Sequence, residues 1–339
     1  MIEIDGSLGE GGGQILRTSL SLSMATGQPF TIKNIRANRD RPGLIRQHLT
    51  SVRAAQEVSN ATVEAAAIGS TELTFRPGTP RAGKYTFSVG TAGSTTLVIQ
   101  TVLPALLMAG GRSDLVIEGG THNPFAPPFD FLEKAFVPVL RRMGADVSVS
   151  LNRPGYYPAG GGSLSVSVAG TERLGAISIN DRGAIKRRHA RALVSNIPYD
   201  VAHREAEVLK KRLNWTHDEV QAREIKGAQG PGNVVLIEIE SENITEVFVG
   251  FGERRVRAES VASRAADQAR RYLAAGVPIG RYLADQLLVP MALGSGGEFV
   301  TMPLTKHTIT NVAVIKQFLP VRIEIDEIDD CKTRVEVRP

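Results

Sequence analysis

The chain has 339 residues, 42% hydrophobic and 22% charged, which is the balance of a globular protein with about two domains. A net charge of +5 leans toward a polyanionic partner without requiring one. The single cysteine, Cys331, excludes an internal disulfide and a cysteine-based zinc site. The longest apolar run, Leu97 to Ala109, is too short to span a bilayer and contains Gln100 and Pro104, so no membrane contact is expected.

A strand-like start, Ile2 to Ile4, is flanked by Glu3 and Asp5 with no apolar run, which predicts no signal peptide and makes the cytoplasm the default location. The strand breaks into Gly9-Glu10-Gly11-Gly12-Gly13-Gln14-Ile15-Leu16-Arg17, where a helical pattern opens. Glycines let backbone N–H groups approach an anion, and a helix N-terminus favours negative charge. Glu10 stands where a carboxylate can hold a divalent cation that bridges phosphates. The spacing is neither the Walker pattern nor the dinucleotide fingerprint, so a tight strand-to-helix turn is an equal reading. Farther on, Arg36, Arg39, Arg41 and Arg46 crowd one loop-to-helix segment in which Pro42 suits a first helical turn. Arginine forks match phosphate oxygens, and a solvated charge run stands beside that reading.

Three stretches look alike. Gln14 to Ile32, Ile99 to Ile117 and Asp285 to Thr301 each read as an apolar helix, a Met-Ala turn with glycine, and a strand. A second helix follows each, roughly Pro42 to Val58, Phe129 to Met143 and Thr308 to Phe318. Met24 and Met108 are 84 positions apart but Met108 and Met291 are 183 apart, an excess of 99. The excess window alternates strands and helices as a small α/β unit. The expected fold is therefore α/β (α+β), with three repeated units forming a large domain (1–178 and 277–339). A small α/β domain (179–276) is inserted between repeats two and three.

Of six histidines, His307 alone has a persuasive setting, at the loop-to-helix junction of the third repeat. A neutral imidazole is a competent nucleophile toward phosphorus, and an ordinary capping-loop histidine is the other reading. Tyr282-Leu283-Ala284-Asp285-Gln286 suits stacking on a base and reading its edge, or is a plain helix start with an acidic first turn. Gln100 is polar in an apolar helix, so it is satisfied internally or faces a ligand. Lys186 to Arg191 reads as a strand edge protected by charge, with RNA contact as the second reading.

These motifs resemble the RNA 3′-terminal phosphate cyclase family. The resemblance rests on the 9–17 run, Arg36 with Arg-Pro-Gly-Leu-Ile-Arg-Gln-His at 41–48, and Gly-Thr-Ala-Gly-Ser-Thr-Thr-Leu-Val-Ile-Gln at 90–100. Gly-Gly-Thr-His-Asn-Pro at 119–124, Gly-Tyr-Tyr-Pro-Ala-Gly-Gly-Gly at 155–162, Tyr-Leu-Ala-Asp-Gln at 282–286 and the His307 segment continue it. It implies three βαβαββ-type units with an inserted α/β domain. It also implies an ATP-dependent cyclase in which His307 takes AMP, passes it to an RNA 3′-phosphate, and the ribose 2′-hydroxyl closes a 2′,3′-cyclic phosphate. By matching position, Glu10 would hold Mg²⁺ or Mn²⁺, and Arg17, Arg36, Arg39 and Gln47 would bind the phosphate and RNA end. Gln100, Pro127, Tyr282, Leu283, Ala284, Asp285 and Gln286 would form the ATP/adenosine site. RNA 3′-phosphate ends are the implied partner, and a homodimer is an assembly the reading allows. His122 stands where some relatives carry an acidic residue, so no role transfers to it. Non-catalytic relatives lacking the nucleophile, and enolpyruvyl transferases built from similar repeats, are the alternatives. The presence of His307 counts against the first, and the lack of a second set of three repeats against the other.

Overall fold

The computed structural model describes residues 1–339. It opens with β1 (Ile2–Asp5), α1 (Gly13–Thr26), β2 (Phe30–Lys33), α2 (Arg46–Ser59), β3 (Thr62–Glu64) and β4 (Leu73–Arg76). β1 and β2 pair in parallel, and β4 joins β2 antiparallel, giving the order β1-β2-β4-β3. Gly27 ends α1 in the left-handed region (φ 71°), returning its N–H to Ser23, a conformation that glycine adopts without cost. α2 begins four residues later than Pro42 suggests. Gly43 has φ 82° and Arg36 has φ 56°, both incompatible with a helix, so Pro42 belongs to a coil before it.

The second unit is β5 (Lys84–Ser88), α3 (Thr95–Leu107), β6 (Arg112–Gly119), a bent helical run, β7 (Asp146–Arg153) and β8 (Gly162–Ala169). The helical run joins α4 (Phe129–Phe131) to α5 (Val137–Arg142) through a π-helical turn at Leu132–Phe136. The sheet order is β5-β6-β8-β7, with the same pairing directions as the first sheet. β6 alternates exposed and buried residues along its whole length, so one face of the sheet meets the helices and the other meets water.

After β9 (Ile177–Ile179) the chain departs into β10 (Ile185–Ser195), α6 (Asp200–Leu213), β11 (Val220–Glu224), β12 (Gly232–Ser241), β13 (Thr245–Phe251) and α7 (Ala258–Ala275). These form their own sheet, β11-β10-β12-β13, over a second apolar core that includes Ala192, Leu209, Trp215, Ile237, Phe248 and Tyr272. The chain then resumes with α8 (Arg281–Leu293), β14 (Gly297–Thr301), α9 (Lys306–Phe318), β15 (Arg322–Asp329) and β16 (Lys332–Arg338). β9 pairs with β14 in the sheet β15-β16-β14-β9. The expected break at 178/179 therefore falls inside β9, and the insert enters after the first strand of the third sheet.

The main core joins all three units through Leu16 and Leu20 of α1, Val98 and Val102 of α3, and Leu283 and Leu287 of α8. Truncating one such leucine to alanine costs about 2–5 kcal/mol, the lost transfer energy plus the cavity left behind. α1 lies against α3, whereas α8 makes only sparse contact with either. The gap this leaves is the main cavity of the molecule, about 890 Å³. Pro104 in α3 and Pro290 in α8 both line it. Each proline removes a backbone donor, so the carbonyls of Gln100 and Gln286, four residues earlier, lose their usual helical partner.

Candidate active site at three helix starts

The beginnings of α1, α8 and α9 converge at one end of this cavity. Thr305 caps α9 by accepting the Thr308 N–H at 3.2 Å, which fixes the turn carrying His307. His307 is half exposed at the cavity wall. Its Nδ1 lies 2.8 Å from Gln14 Oε1. Gln14 Nε2 in turn donates to both carboxylate oxygens of Asp285, at 2.7 and 2.9 Å.

That chain of contacts sets the protons. Asp285 accepts, so the Gln14 amide nitrogen faces it and the amide oxygen faces His307, which must carry its hydrogen on Nδ1. Nε2 is then the ring nitrogen left to Glu10, whose carboxylate must release it before it can act on a substrate. The Asp285 carbonyl also accepts the Asn311 Nδ2–H at 3.0 Å, and Asn311 Oδ1 accepts the Thr18 hydroxyl at 2.8 Å. Burial raises the Asp285 carboxyl, opposed by His307, Gln14 and Arg17.

Nε2 lies 2.5 Å from Glu10 Oε2, and Glu10 Oε1 pairs with Arg39. Gly12 leaves room for that arginine, since a Cβ there would stand 2.8 Å from its guanidinium. Arg17 has no carboxylate within ion-pairing distance, although it faces the cavity. Burial pushes it down to about 10, with Asp285 and Glu10 opposing, so it stays cationic at neutral pH. An unneutralised cation in a cavity is a ready place for an anion. Beside it, burial first and then Arg17 and Arg36 push His48 down to about 3, which keeps it neutral. Gly13 permits this packing, because any Cβ there would overlap His48 Nε2.

Other expected site residues divide into two groups. Arg36 lines the cavity, but its guanidinium donates to the carbonyls of Arg41 at 2.6 Å and Gly43 at 2.8 Å, so part of it serves the loop. Gln47 accepts the Ser94 N–H at 2.7 Å, tying α2 to the start of α3. Gln100 presents a buried Nε2 with no partner, Pro127 and Gln286 line the wall, and Tyr282 is 59% exposed at the rim. Leu283 and Ala284 do not belong to the site. They are fully buried in the main core, because the helical period turns 282, 285 and 286 toward the cavity and 283 and 284 away. His122 also lies outside it, bonded to Asp130 at 2.8 Å.

Gln14, Asn311 and Phe125 carry parts of the arrangement without a role assigned from sequence. Polar residues at helical spacing on apolar helices, Gln14 with Thr18 and His307 with Asn311, were the available signal. Phe125 had none. In the Lys186–Arg191 run, residues 185–189 extend past β11, so that edge is open, while Arg188 pairs with Glu219 at 2.9 Å and Arg191 turns inward. No group of three or more His, Cys, Asp or Glu side chains is placed to cage a metal. Glu10 alone fits the partial coordination typical of Mg²⁺, which takes one or two carboxylates and completes its shell with phosphates and water.

A family model for RNA 3′-terminal phosphate cyclases matches residues 8–325. The chain belongs to the RNA 3′-terminal phosphate cyclase family. The RNA 3′-terminal phosphate cyclase of Koribacter versatilis (strain Ellin345) is 50% identical over 331 residues, covering 98% of this chain and 93% of that protein. That of Ralstonia nicotianae (strain ATCC BAA-1114 / GMI1000) is 51% identical over 338 residues, covering 99% and 97%. Among solved structures, the enolpyruvyl transferase NikO from Streptomyces tendae is similar over 98% of this chain and 47% of its own, at 11% identity and a TM-score of 0.38. That likeness is too weak to bear on chemistry. No helix is long and apolar enough to cross a membrane.

Proposed function

We propose that the protein converts an RNA 3′-phosphate into a 2′,3′-cyclic phosphate at the expense of ATP, with His307 as a transient carrier of AMP. The observation that carries this reading is the Asp285–Gln14–His307 chain, which holds the imidazole with Nδ1–H engaged and Nε2 facing a cavity that contains Arg17. In the first step Nε2 attacks the α-phosphorus of ATP, the bond to the β-phosphate oxygen breaks, and pyrophosphate leaves. In the second, an oxygen of the RNA 3′-phosphate attacks the same phosphorus and His307 leaves, giving an RNA-linked diphosphate. In the third, the adjacent 2′-oxygen attacks the RNA phosphorus, its proton is lost, and AMP departs. Dividing the reaction this way replaces a poor leaving group with AMP.

Arg17, and Arg39 once shared with substrate, supply positive charge to the phosphate oxygens. A divalent ion, Mg²⁺ or Mn²⁺, held by Glu10 and the phosphates would neutralise further charge there. Gln100 offers its unpartnered amide to the nucleoside, with Tyr282 and Pro127 on the walls around the base. The test mixes the protein with ATP labelled at the α-phosphate and a divalent ion, denatures it, and measures protein-bound label beside His307→Ala. Acid-labile, alkali-stable label absent from the variant is the expected result. No label with either metal would overturn the proposal.

A further inference from the structure

Two polar contacts cross from the inserted sheet to residues that adjoin segments lining the His307 cavity, Asp130 beside Phe131 and Gly280 beside Arg281. At the first, Arg191 of β10 donates to Asp130 Oδ1 at 2.7 Å and also pairs with Glu238. The other Asp130 oxygen is 2.8 Å from His122 Nε2, and His122 Nδ1 is 2.8 Å from the Thr121 hydroxyl. The Thr121 carbonyl accepts the Phe129 N–H at 3.0 Å. Residues Pro124 to Pro128 hang between these anchored ends, and all five line the cavity. Three of the five are prolines with no N–H to donate, so the loop has few bonds of its own. Phe125 within it is fully exposed and held at φ 63°, a conformation that a bulky residue keeps only when its surroundings impose it. All members of the anchor are buried or nearly so, and burial, which would raise the Asp130 carboxyl, is overcome by His122 and Arg191, which hold it at about 2.

At the second, Glu246 of β13 is 2% exposed and accepts the Gly280 N–H at 2.6 Å. Gly280 is the N-cap of α8, so the insert satisfies an otherwise orphaned donor of the helix whose first turns carry Tyr282 and Asp285. The approach is close, since a Cβ on Gly280 would stand 3.0 Å from the carboxyl carbon. Between the two contacts, Val247, Val249 and Phe251 of β13 form part of the cavity lining.

We infer that the inserted unit is a positioning element of the nucleotide site, with Arg191 and Glu246 setting the separation of the Pro124–Pro128 loop and α8 around bound ATP. It rests on the reading of this cavity as an ATP site. A unit that merely stabilised the protein would need neither contact to end beside a lining segment of the cavity, and an RNA-binding unit would act on RNA affinity instead.

The test uses the full chain with four proteins: wild type, the double variant Arg191→Met/Asp130→Asn, Glu246→Ala, and Glu246→Gln. The double change removes both charges of the Arg191–Asp130 pair but leaves Glu238 without its arginine, so its melting temperature is measured first, and glutamine keeps an oxygen for the Gly280 N–H. Protein-bound label is followed against ATP concentration, well below each melting temperature. Preformed label is then chased onto an RNA 3′-phosphate against RNA concentration. The double variant and Glu246→Ala are expected to raise the KM for ATP about tenfold, with the rate at saturating ATP and the RNA dependence changed by less than about twofold. Glu246→Gln is expected to match wild type. An unchanged KM for ATP with a lowered melting temperature would make the insert structural only and overturn the inference. A shift confined to the RNA dependence would overturn it too. Wild type that takes no label would instead overturn the ATP reading itself, so the two failures are told apart.

Discussion

Replacing Gln14 by leucine keeps the bulk of the side chain and removes three polar contacts at once. The lost contacts are two to the Asp285 carboxylate, at 2.7 and 2.9 Å, and one to His307 Nδ1, at 2.8 Å. The carboxylate is buried, so the bonds are charge-assisted and removal costs about 1.5–3 kcal/mol, while the Asn311 bond to the Asp285 carbonyl stays intact. The catalytic effect is separate. Without an acceptor at Nδ1 the imidazole samples both tautomers and more than one orientation, and Nε2 loses its alignment with the phosphorus. A misplacement of that kind costs roughly 100-fold in rate, or about 2.7 kcal/mol of barrier. Single-turnover label transfer at saturating ATP measures the rate, and urea unfolding measures the stability. Labelling by Gln14→Leu within about twofold of wild type would refute the assignment of Nε2 through this chain.

Arg17→Met should raise the melting temperature of the free protein while lowering label formation by about 100-fold, because burial opposes this cation until an anion joins it. A scanning calorimeter and the label assay read the two signs, and a drop in both would contradict the reading. His48 titrates near 3 in the folded chain against about 6.5 unfolded, so the unfolded state binds the extra proton between those values and stability falls as pH falls. The loss by pH 5 is about 2 kcal/mol, seen in denaturant midpoints, and should vanish in His48→Asn after its own baseline change. Glu246 behaves oppositely. Burial pushes it up to about 8 against its hydrogen bonds from Gly280 and Val247, so the folded state holds the proton longer and stability falls as pH rises from about 4.5 to 8. Wild type should therefore lose melting temperature between pH 6 and 9, and Glu246→Gln should lose much less.

Much of the organisation is readable from residue order. The Met-Ala turns and their unequal intervals locate three helix–strand stretches and the surplus that becomes the inserted sheet, because hydrophobic period and glycine caps are local properties. The glycine run before α1 is local too and stands where the sequence puts it, while α9 begins two residues ahead of the expected Thr308, capped by Thr305. The start of α2 escapes such reading, since Gly43 and Arg36 adopt positive φ only in the loop that closes on Ile35 and Ser70. Tyr282 to Gln286 reads as one string in the sequence, whereas a helix divides it between two faces and puts Leu283 and Ala284 in the core.

The determinants of reactivity are of another kind. Gln14 and Asp285 are 271 residues apart, Gln14 and His307 are 293 apart, and Arg191 reaches Asp130 across 61. Which nitrogen of His307 Gln14 holds, which arginine is left without a counter-ion, and which segments the insert braces follow from side chains that meet only when separate units pack. Local propensity and spacing determined the elements and the residue types available at their ends. Tertiary packing decided which of those residues share a proton, a charge or a cavity, because hydrogen bonds and burial act over a few ångströms and are indifferent to distance along the chain.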